Sequence, residues 1–274
     1  MTVVGLVSPG EMGASVGAAA KLNATTVLWA SEARSNASHL RAIKADLTDS
    51  GTLRNMANRA DIILSICPPH DAESLARQIS ELDFGGLFVD CNAIAPQKSK
   101  KLSAFFETGR YVDGAIIGGP AWQEESGTRL YLSGSAADEI VGLFKQSPLL
   151  TRIISHDISD ASALKMAFAA YTKGSIALLA SILSVSESYG VRQALAEQWG
   201  NNFTQQTHQR LIATAVKGWR FEGEMHEIAD TFLQAELPDG FHRAAADIYA
   251  RMTEFKDKPP QNISQLLEAL RSTA

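Results

Sequence analysis

Three groups of residues in this chain have the types and spacing to do chemistry. The first is Val4-Gly5-Leu6-Val7-Ser8-Pro9-Gly10-Glu11-Met12-Gly13, an apolar run that breaks into a glycine turn and opens onto a helical pattern. In a dinucleotide turn the first glycine permits the tight bend. The second lets the backbone approach the pyrophosphate, and the third lets the helix pack on the strand. Ser8 stands in the first place here, while Gly10 and Gly13 keep the second and third, where a side chain would strike the phosphate or the strand. Pro9 restricts the bend. The pattern predicts that Ser8, Pro9, Gly10, Glu11, Met12 and Gly13 hold a diphosphate, helped by helix N–H groups beyond Gly10. The plainer alternative is a strand-to-helix turn with no ligand.

The second group closes the next apolar run, Leu28-Trp29-Ala30-Ser31-Glu32-Ala33-Arg34-Ser35. An NAD site places a carboxylate here against the ribose hydroxyls. Ala30 and Ser31 occupy that place, and Ser31, Arg34 and Ser35 offer donors suited to a 2′-phosphate. This predicts NADP over NAD; Glu32, one register step on, keeps NAD open. The third group is Lys165 and Lys173, the only charged residues between Ser162 and Ser186. An ammonium on an apolar helix is costly to bury unless it is paired or its pKa falls. A depressed pKa suits a general acid near neutrality. The alternative is snorkelling to water, which is the preferred reading for Lys173.

These residues need elements to hold them. Strands are predicted at Val3 to Val7, Thr26 to Trp29, Ile62 to Cys67, Leu87 to Cys91, Tyr111 to Ile117, Leu130 to Ser133 and Arg152 to Ser155. Helical patterns fall between them at Gly10 to Leu22, Ala33 to Ile43, Asp71 to Leu82, Pro96 to Glu107 and Ala136 to Gln146. Such alternation predicts an α/β domain of Rossmann type, a doubly wound and mainly parallel sheet over residues 1–158. From Asp160 to Glu187 runs one long helix, and no strand pattern returns after it. An all-helical domain is therefore predicted over 159–274. A net charge of −5 argues against nucleic acid as the main partner. Cys67 and Cys91 sit in apolar runs and read as buried thiols of a reduced, cytoplasmic protein rather than a disulfide. The first strand pattern starts at Val3, which leaves no room for a signal peptide. The longest uncharged apolar stretch, Gly174 to Ser186, is shorter than the ~20 residues of a membrane span.

Six segments in order resemble the β-hydroxyacid dehydrogenase superfamily, which includes 6-phosphogluconate dehydrogenase, 3-hydroxyisobutyrate dehydrogenase and the imine reductases. They are GLVSPGEMG (5–13), ADIILSICPP (60–69), FVDCNAIAP (88–96), YVDGAIIGGPAWQEESGTRLYLSG (111–134), SALKMAFAAYTKG (162–174) and GEMHEIADTFLQAELP (223–238). The last, with Leu237 to Ala246, resembles the subgroup that has a distinct, poorly characterised C-terminal domain. The resemblance implies NAD(P)-dependent hydride transfer at an alcohol, carbonyl or imine carbon of a small molecule. It also implies a cleft between the domains and a homodimer joined through the helical ones. By position it places Cys67, Pro68, Pro69 and Asn92 near the nicotinamide half, and it makes Lys165 the proton donor or acceptor.

It further assigns Asn92, Gly118, Gly119, Lys165, Ala169 and Glu224 to the substrate, and here the pattern departs from the family. Ala169 replaces an asparagine, Ile117 a serine, Asn92 a serine or threonine, and Gly223, followed by Glu224, a lysine. A carboxylate would lose donors worth several kcal/mol in order of magnitude. A bulkier, less charged ketone, alcohol or imine is expected, with Trp122, Tyr171, Trp219, Phe221 and Met225 as apolar walls. Imine reduction would need another donor, for which Tyr171 is the nearest candidate. His226-Glu227 lacks a second histidine one turn on, so no metal is expected. The run from Lys98 to Lys101 reads as surface. The alternative from another class is a dinucleotide-binding sensor or scaffold without turnover.

Overall fold

The computed structural model of the chain describes residues 2–256 and 258–271. It divides into two compact units, Met1–Lys165 and Met166–Ala274.

The first unit is built on β1 (Val3–Leu6), α1 (Glu11–Ala20), β2 (Thr26–Trp29), α2 (Asn36–Lys44), β3 (Thr48–Asp49), α3 (Leu53–Ala57), β4 (Ile62–Ser65) and α4 (Ala72–Ser80). It continues through β5 (Leu87–Asp90), α5 (Pro96–Ser103), β6 (Tyr111–Ile117), β7 (Arg129–Ser133), α6 (Ala137–Leu143) and β8 (Leu150–Ser155). The strands form one sheet in the order β3-β2-β1-β4-β5-β6-β7-β8. Among the described residues, only β6 and β7 pair antiparallel. This is the doubly wound, mainly parallel sheet that the alternating pattern predicts. Its central strands are apolar at successive positions because helices cover both faces. In β4, Ile62 and Leu64 enter one core with Val16 and Ile140, whereas Ile63 enters the other with Phe88 and Ile79. The strands end earlier than the apolar runs do: Val7, Cys67 and Cys91 lie just past their strands. Sequence pattern missed β3 and α3; β3 is exposed and polar and α3 is one short turn-like helix, so neither carries a hydrophobic period.

α7 (Asp160–Ser188) is 29 residues long. Counting uncharged residues underestimates it, because the helix continues through Lys165 and Lys173. By length and composition alone it could cross a membrane, contrary to the expectation from Gly174 to Ser186. Its first turn, however, is hydrogen-bonded to the sheet unit: Ser162 N–H donates to Asp113 at 2.8 Å. The sheet unit runs through this first turn to Lys165, where the sequence pattern predicts a boundary at residue 158.

The second unit holds the rest of α7 with α8 (Arg192–Trp199), α9 (Asn201–Ala215), α10 (Gly218–Gln234), α11 (Gly240–Ala250) and α12 (Ile263–Arg271). It contains no strand among the described residues. Met225, Ile228 and Ala229 of α10 and Ala245, Ala246 and Tyr249 of α11 are buried at helical spacing.

Candidate functional site

In an open α/β sheet, ligands bind beyond the carboxyl ends of the strands where the strand order reverses. Here that point lies between β1 and β4, since β2 and β3 extend one way and β5 to β8 the other. The turn Val7 to Gly13 leaves β1 at this place. A Cβ on Gly13 would stand 2.1 Å from the Ser8 carbonyl oxygen, whereas one on Gly10 would meet nothing within 4 Å. So Gly13 is demanded by the protein's own packing, while Gly10 borders open space at the start of α1. The turn is braced from α2, where Arg41 Nε donates to the Pro9 carbonyl at 2.8 Å, and from the segment before it, where Arg34 reaches the Val7 carbonyl at 3.4 Å. Ser15, in α1, donates to the Met12 carbonyl and accepts from Ala121 N–H at 2.9 Å. These groups fit a nucleotide diphosphate: an open glycine face, helix N–H groups and two guanidinium groups nearby.

At the end of β2, Ala33 bends the chain at φ 56°. Ser35 then caps α2, its hydroxyl accepting from Ser38 N–H. Ser31 is half-buried and Arg34 exposed. Glu32 lines a polar cavity with Thr52, Arg54, Gln78 and Glu81.

Beyond β4 and β5 lies a buried polar knot. Asn92 Oδ1 accepts from Cys67 N–H at 2.6 Å, and its Nδ2 donates to Ser65 Oγ at 3.0 Å and to Asp90 Oδ2 at 3.1 Å. Both amide protons are thus engaged within the protein, and Asn92 braces the two strand ends. Burial pushes the Asp90 carboxyl up to about 7, with Asn92's bonds opposing and Asp113's charge adding. Burial pushes the Cys67 thiol up to about 12, and Cys67 and Cys91 are free thiols. Lys98 donates to the Pro69 carbonyl at 2.9 Å. It therefore fixes the turn after β4, which corrects its assignment to the surface.

At the end of β6, Gly118 has φ +131° and lies so close to Thr128 that a Cβ would be 2.5 Å from its hydroxyl; Gly119 is open. Thr128 Oγ1 holds the Gly119 carbonyl at 2.7 Å. Lys165 Nζ donates to the Ile116 carbonyl at 2.7 Å. The lysine is half-buried; it neither snorkels away nor lacks a partner. The sheet unit thus brings the Ser8 to Gly13 turn, Cys67 to Pro69, Asn92, Gly118, Gly119 and Lys165 to the carboxyl ends of β1, β4, β5 and β6.

In the helical unit the expectations fare differently. Ala169 is buried and offers no polar group. Lys173 does not snorkel: its ammonium is paired with Glu224, with both side chains mostly buried and the Phe221 ring 4.8 Å from the ammonium. Glu224, assigned to the substrate, is engaged in this internal ion pair. Met225 is core. Lys44 covers the Trp122 ring at 4.5 Å, and Lys256 covers Trp219 at 4.3 Å, so neither presents a bare apolar wall. Tyr171 is exposed. Among the described residues no cluster of three metal-ligating side chains occurs.

Sequence reasoning missed Arg41, Ser15, Lys98 and Asp113. For Arg41 the signal was its i,i+3 spacing from Ser38 along α2, on the face that reaches Pro9. For Asp113 it was a carboxylate inside an apolar strand, as at Asp90, which requires buried donors.

Residues 187–252 match the family DUF1932, a domain of unknown function. Among solved structures, the conserved protein MTH1747 of unknown function, described as structurally similar to 3-hydroxyacid dehydrogenases, has 25% identity and a TM-score of 0.64 over 92% of this chain and 97% of its own. The Mycobacterium tuberculosis 3-hydroxyisobutyrate dehydrogenase, solved with L-serine, has 15% identity and a TM-score of 0.68 over 99% and 100%. The imine reductase from Myxococcus stipitatus in complex with NADP+ has 21% identity and a TM-score of 0.53 over 98% and 100%.

Proposed function

Taking as premise that the chain has the fold of the 3-hydroxyisobutyrate dehydrogenase-like β-hydroxyacid dehydrogenases, with DUF1932 in its C-terminal part, we propose that it is an NAD(P)-dependent oxidoreductase. The observation that carries this reading is one juxtaposition. The Lys165 ammonium, 2.7 Å from the Ile116 carbonyl, shares the strand ends with the open Gly10 face of the turn after β1. The imine reductase relative was solved with NADP+, and a nicotinamide coenzyme bound here would exchange hydride with a carbonyl, alcohol or imine carbon. Glycine N–H groups and the start of α1 would hold its diphosphate. Ser31, Arg34 and Ser35 favour NADP: their donors suit a 2′-phosphate, and Glu32 lines a cavity with Arg54 and Gln78.

Lys165 handles the proton. As an ammonium it donates to the substrate heteroatom during reduction, and as an amine it accepts that proton during oxidation. The Ile116 carbonyl orients Nζ at the strand ends. Ile117 and Ala169 place no polar group for a substrate carboxylate, and Glu224 is paired with Lys173. This supports a bulkier, weakly charged ketone, alcohol or imine. It also supports the second reading, a dinucleotide sensor without turnover. A homodimer fits α7, whose Phe168, Leu178 and Val185 are exposed; sedimentation of the purified protein reads this directly.

The test is fluorescence titration with NADPH and NADH, then assay of ketones, imines and hydroxy acids with wild type and Lys165→Met. Tighter NADPH binding and turnover abolished in Lys165→Met are expected. Failure to bind either coenzyme refutes the proposal. Tight binding without turnover of any compound favours the sensor.

A further inference from the structure

We propose that Asp113 is a positioning residue for the Lys165 amine: its carboxylate caps α7 from the neighbouring strand and so fixes where that amine sits. The inference rests on the reading of Lys165 as the proton carrier and adds to it the group that holds it in place.

The first N–H groups of a helix have no acceptor within the helix. In α7 they find acceptors on the sheet. Ala161 N–H donates to Ser133 Oγ at 3.0 Å, and Ser162 N–H to Asp113 Oδ2 at 2.8 Å. The Ser162 hydroxyl adds a bond to Asp113 Oδ1 at 2.6 Å. With Asp113 ionised, the hydroxyl directions around it follow from their partners. Ser133 Oγ accepts from Ala161, so its own proton goes to Asp113 Oδ2 at 3.1 Å. Ser99 Oγ donates to Oδ1 at 2.9 Å, and Tyr111 Oη then supplies its proton to Ser99 at 3.0 Å. Each carboxylate oxygen receives two hydrogen bonds. Burial raises the Asp113 pKa, and the Ser162 and serine hydroxyl bonds oppose that rise. A carboxylate at a helix N-terminus also complements the helix dipole. An asparagine could not substitute faithfully, since its Nδ2 would face donors.

The reach to Lys165 is short. Ser162 and Lys165 are neighbours one turn apart on α7, as Asp113 and Ile116 are three residues apart on β6. One turn of helix is thereby fastened to one strand at two points, Ser162 on Asp113 and Lys165 on the Ile116 carbonyl. Releasing the first lets α7 shift along β6 and carries the amine off its line to the substrate, while the turns that would bind coenzyme, after β1 and β4, are untouched.

The experiment compares Asp113→Asn, Ser162→Ala and Lys165→Met with wild type in the full chain. Displacement of a catalytic group by about 1 Å costs about 10²-fold in rate, so kcat should fall about 10²-fold in Asp113→Asn. Ser162→Ala, which keeps its N–H bond, should lose about tenfold. KM and the NADPH Kd should stay within about threefold in both, because neither residue is placed at a binding surface. Should the compound panel give no turnover, ¹³C reductive methylation of Lys165, its resonance identified by loss in Lys165→Met, reports the amine's surroundings; a shifted resonance in the variants is expected. If Asp113→Asn fails to fold, Ser162→Ala decides. A wild-type kcat in Ser162→Ala while Lys165→Met is inert, or an unmoved Lys165 resonance, overturns the role of Asp113 and leaves Lys165 standing. Lys165→Met with wild-type kcat instead overturns the Lys165 reading, and this inference with it.

Discussion

Replacing Gly10 or Gly13 by alanine adds the same methyl group to the same turn, and the two substitutions should fail in different ways. At Gly13 the new Cβ would lie 2.1 Å from the Ser8 carbonyl oxygen and 3.3 Å from its carbon. That is roughly 1 Å or more inside van der Waals contact. The obstructing atom is backbone, so the whole turn must move. Overpacking of this kind costs about 1–3 kcal/mol, which lowers Tm by about 2–4 °C per kcal/mol in a domain of this size. At Gly10 the Cβ meets nothing within 4 Å, and its φ of −68° and ψ of −175° suit alanine. Stability should hold, or rise by about 0.4–1 kcal/mol through the unfolded state. What that methyl enters is the space assigned to the diphosphate. A comparable steric cost there, about 1–3 kcal/mol, weakens NADPH by about tenfold to 10²-fold. Differential scanning fluorimetry without ligand reads the first effect, and quantitation of NADPH fluorescence on titration reads the second. Gly10→Ala that binds NADPH as wild type does would refute the phosphate cradle. Gly13→Ala with an unchanged Tm would refute the turn geometry.

Arg34→Ala should weaken NADPH by about tenfold to 10²-fold, the worth of a charge-assisted hydrogen bond, and weaken NADH less, by what Arg34's contact with the Val7 carbonyl contributes to the turn; equal loss for both coenzymes rules out a 2′-phosphate at Arg34. In the helical unit, Lys173→Met should destabilise by about 3–5 kcal/mol by leaving Glu224 buried without its cation. Adding Glu224→Leu should recover much of that loss in urea unfolding, and additive losses would show the pair to be unlinked. Asp90 makes a pH prediction. Its folded pKa of about 7 lies above its unfolded value near 4, so the folded state binds the extra proton. Stability from this group is complete below about pH 4 and falls as pH rises to about 7, by up to about 4 kcal/mol. Asp113 shifts in the same direction. Urea midpoints at pH 5 and pH 8 should therefore converge in Asp90→Asn relative to wild type, and an unchanged difference sinks the assignment.

The parts of this molecule that were legible in its sequence are those where one residue type answers to one local demand. Gly13 is fixed by contact with Ser8, Pro96 opens α5, and the runs IILS and LFVD declare strands buried on both faces. Lys165 stood out because a cation in apolar sequence is expensive. That it meets the Ile116 carbonyl was beyond reach: a backbone oxygen carries no residue-type signal. Lys173 and Glu224 illustrate a different limit. Fifty-one residues separate them, so each alone looked like a surface or cleft charge, and only the packing of α7 and α10 makes them a pair.

The same limit shaped the reading of the site's polar residues. Asn92, seen in sequence, is a residue with donors to offer a ligand; in the fold those donors bind Ser65 and Asp90. Lys98 seemed one of several surface lysines, yet it holds the Pro69 carbonyl. In both cases a side chain judged by its chemistry alone was assigned outward, and tertiary structure turned it inward to brace a strand end. Gly10 and Gly119, with little chemistry of their own, border open space, and the half-buried Lys165 is held at the Ile116 carbonyl. Polar groups that brace the strand ends and glycines that leave space beside them suit the proposed ligand, a coenzyme that brings its own reactive group. That division of labour is why coenzyme binding, more than any single side-chain substitution, is the measurement on which the reading turns.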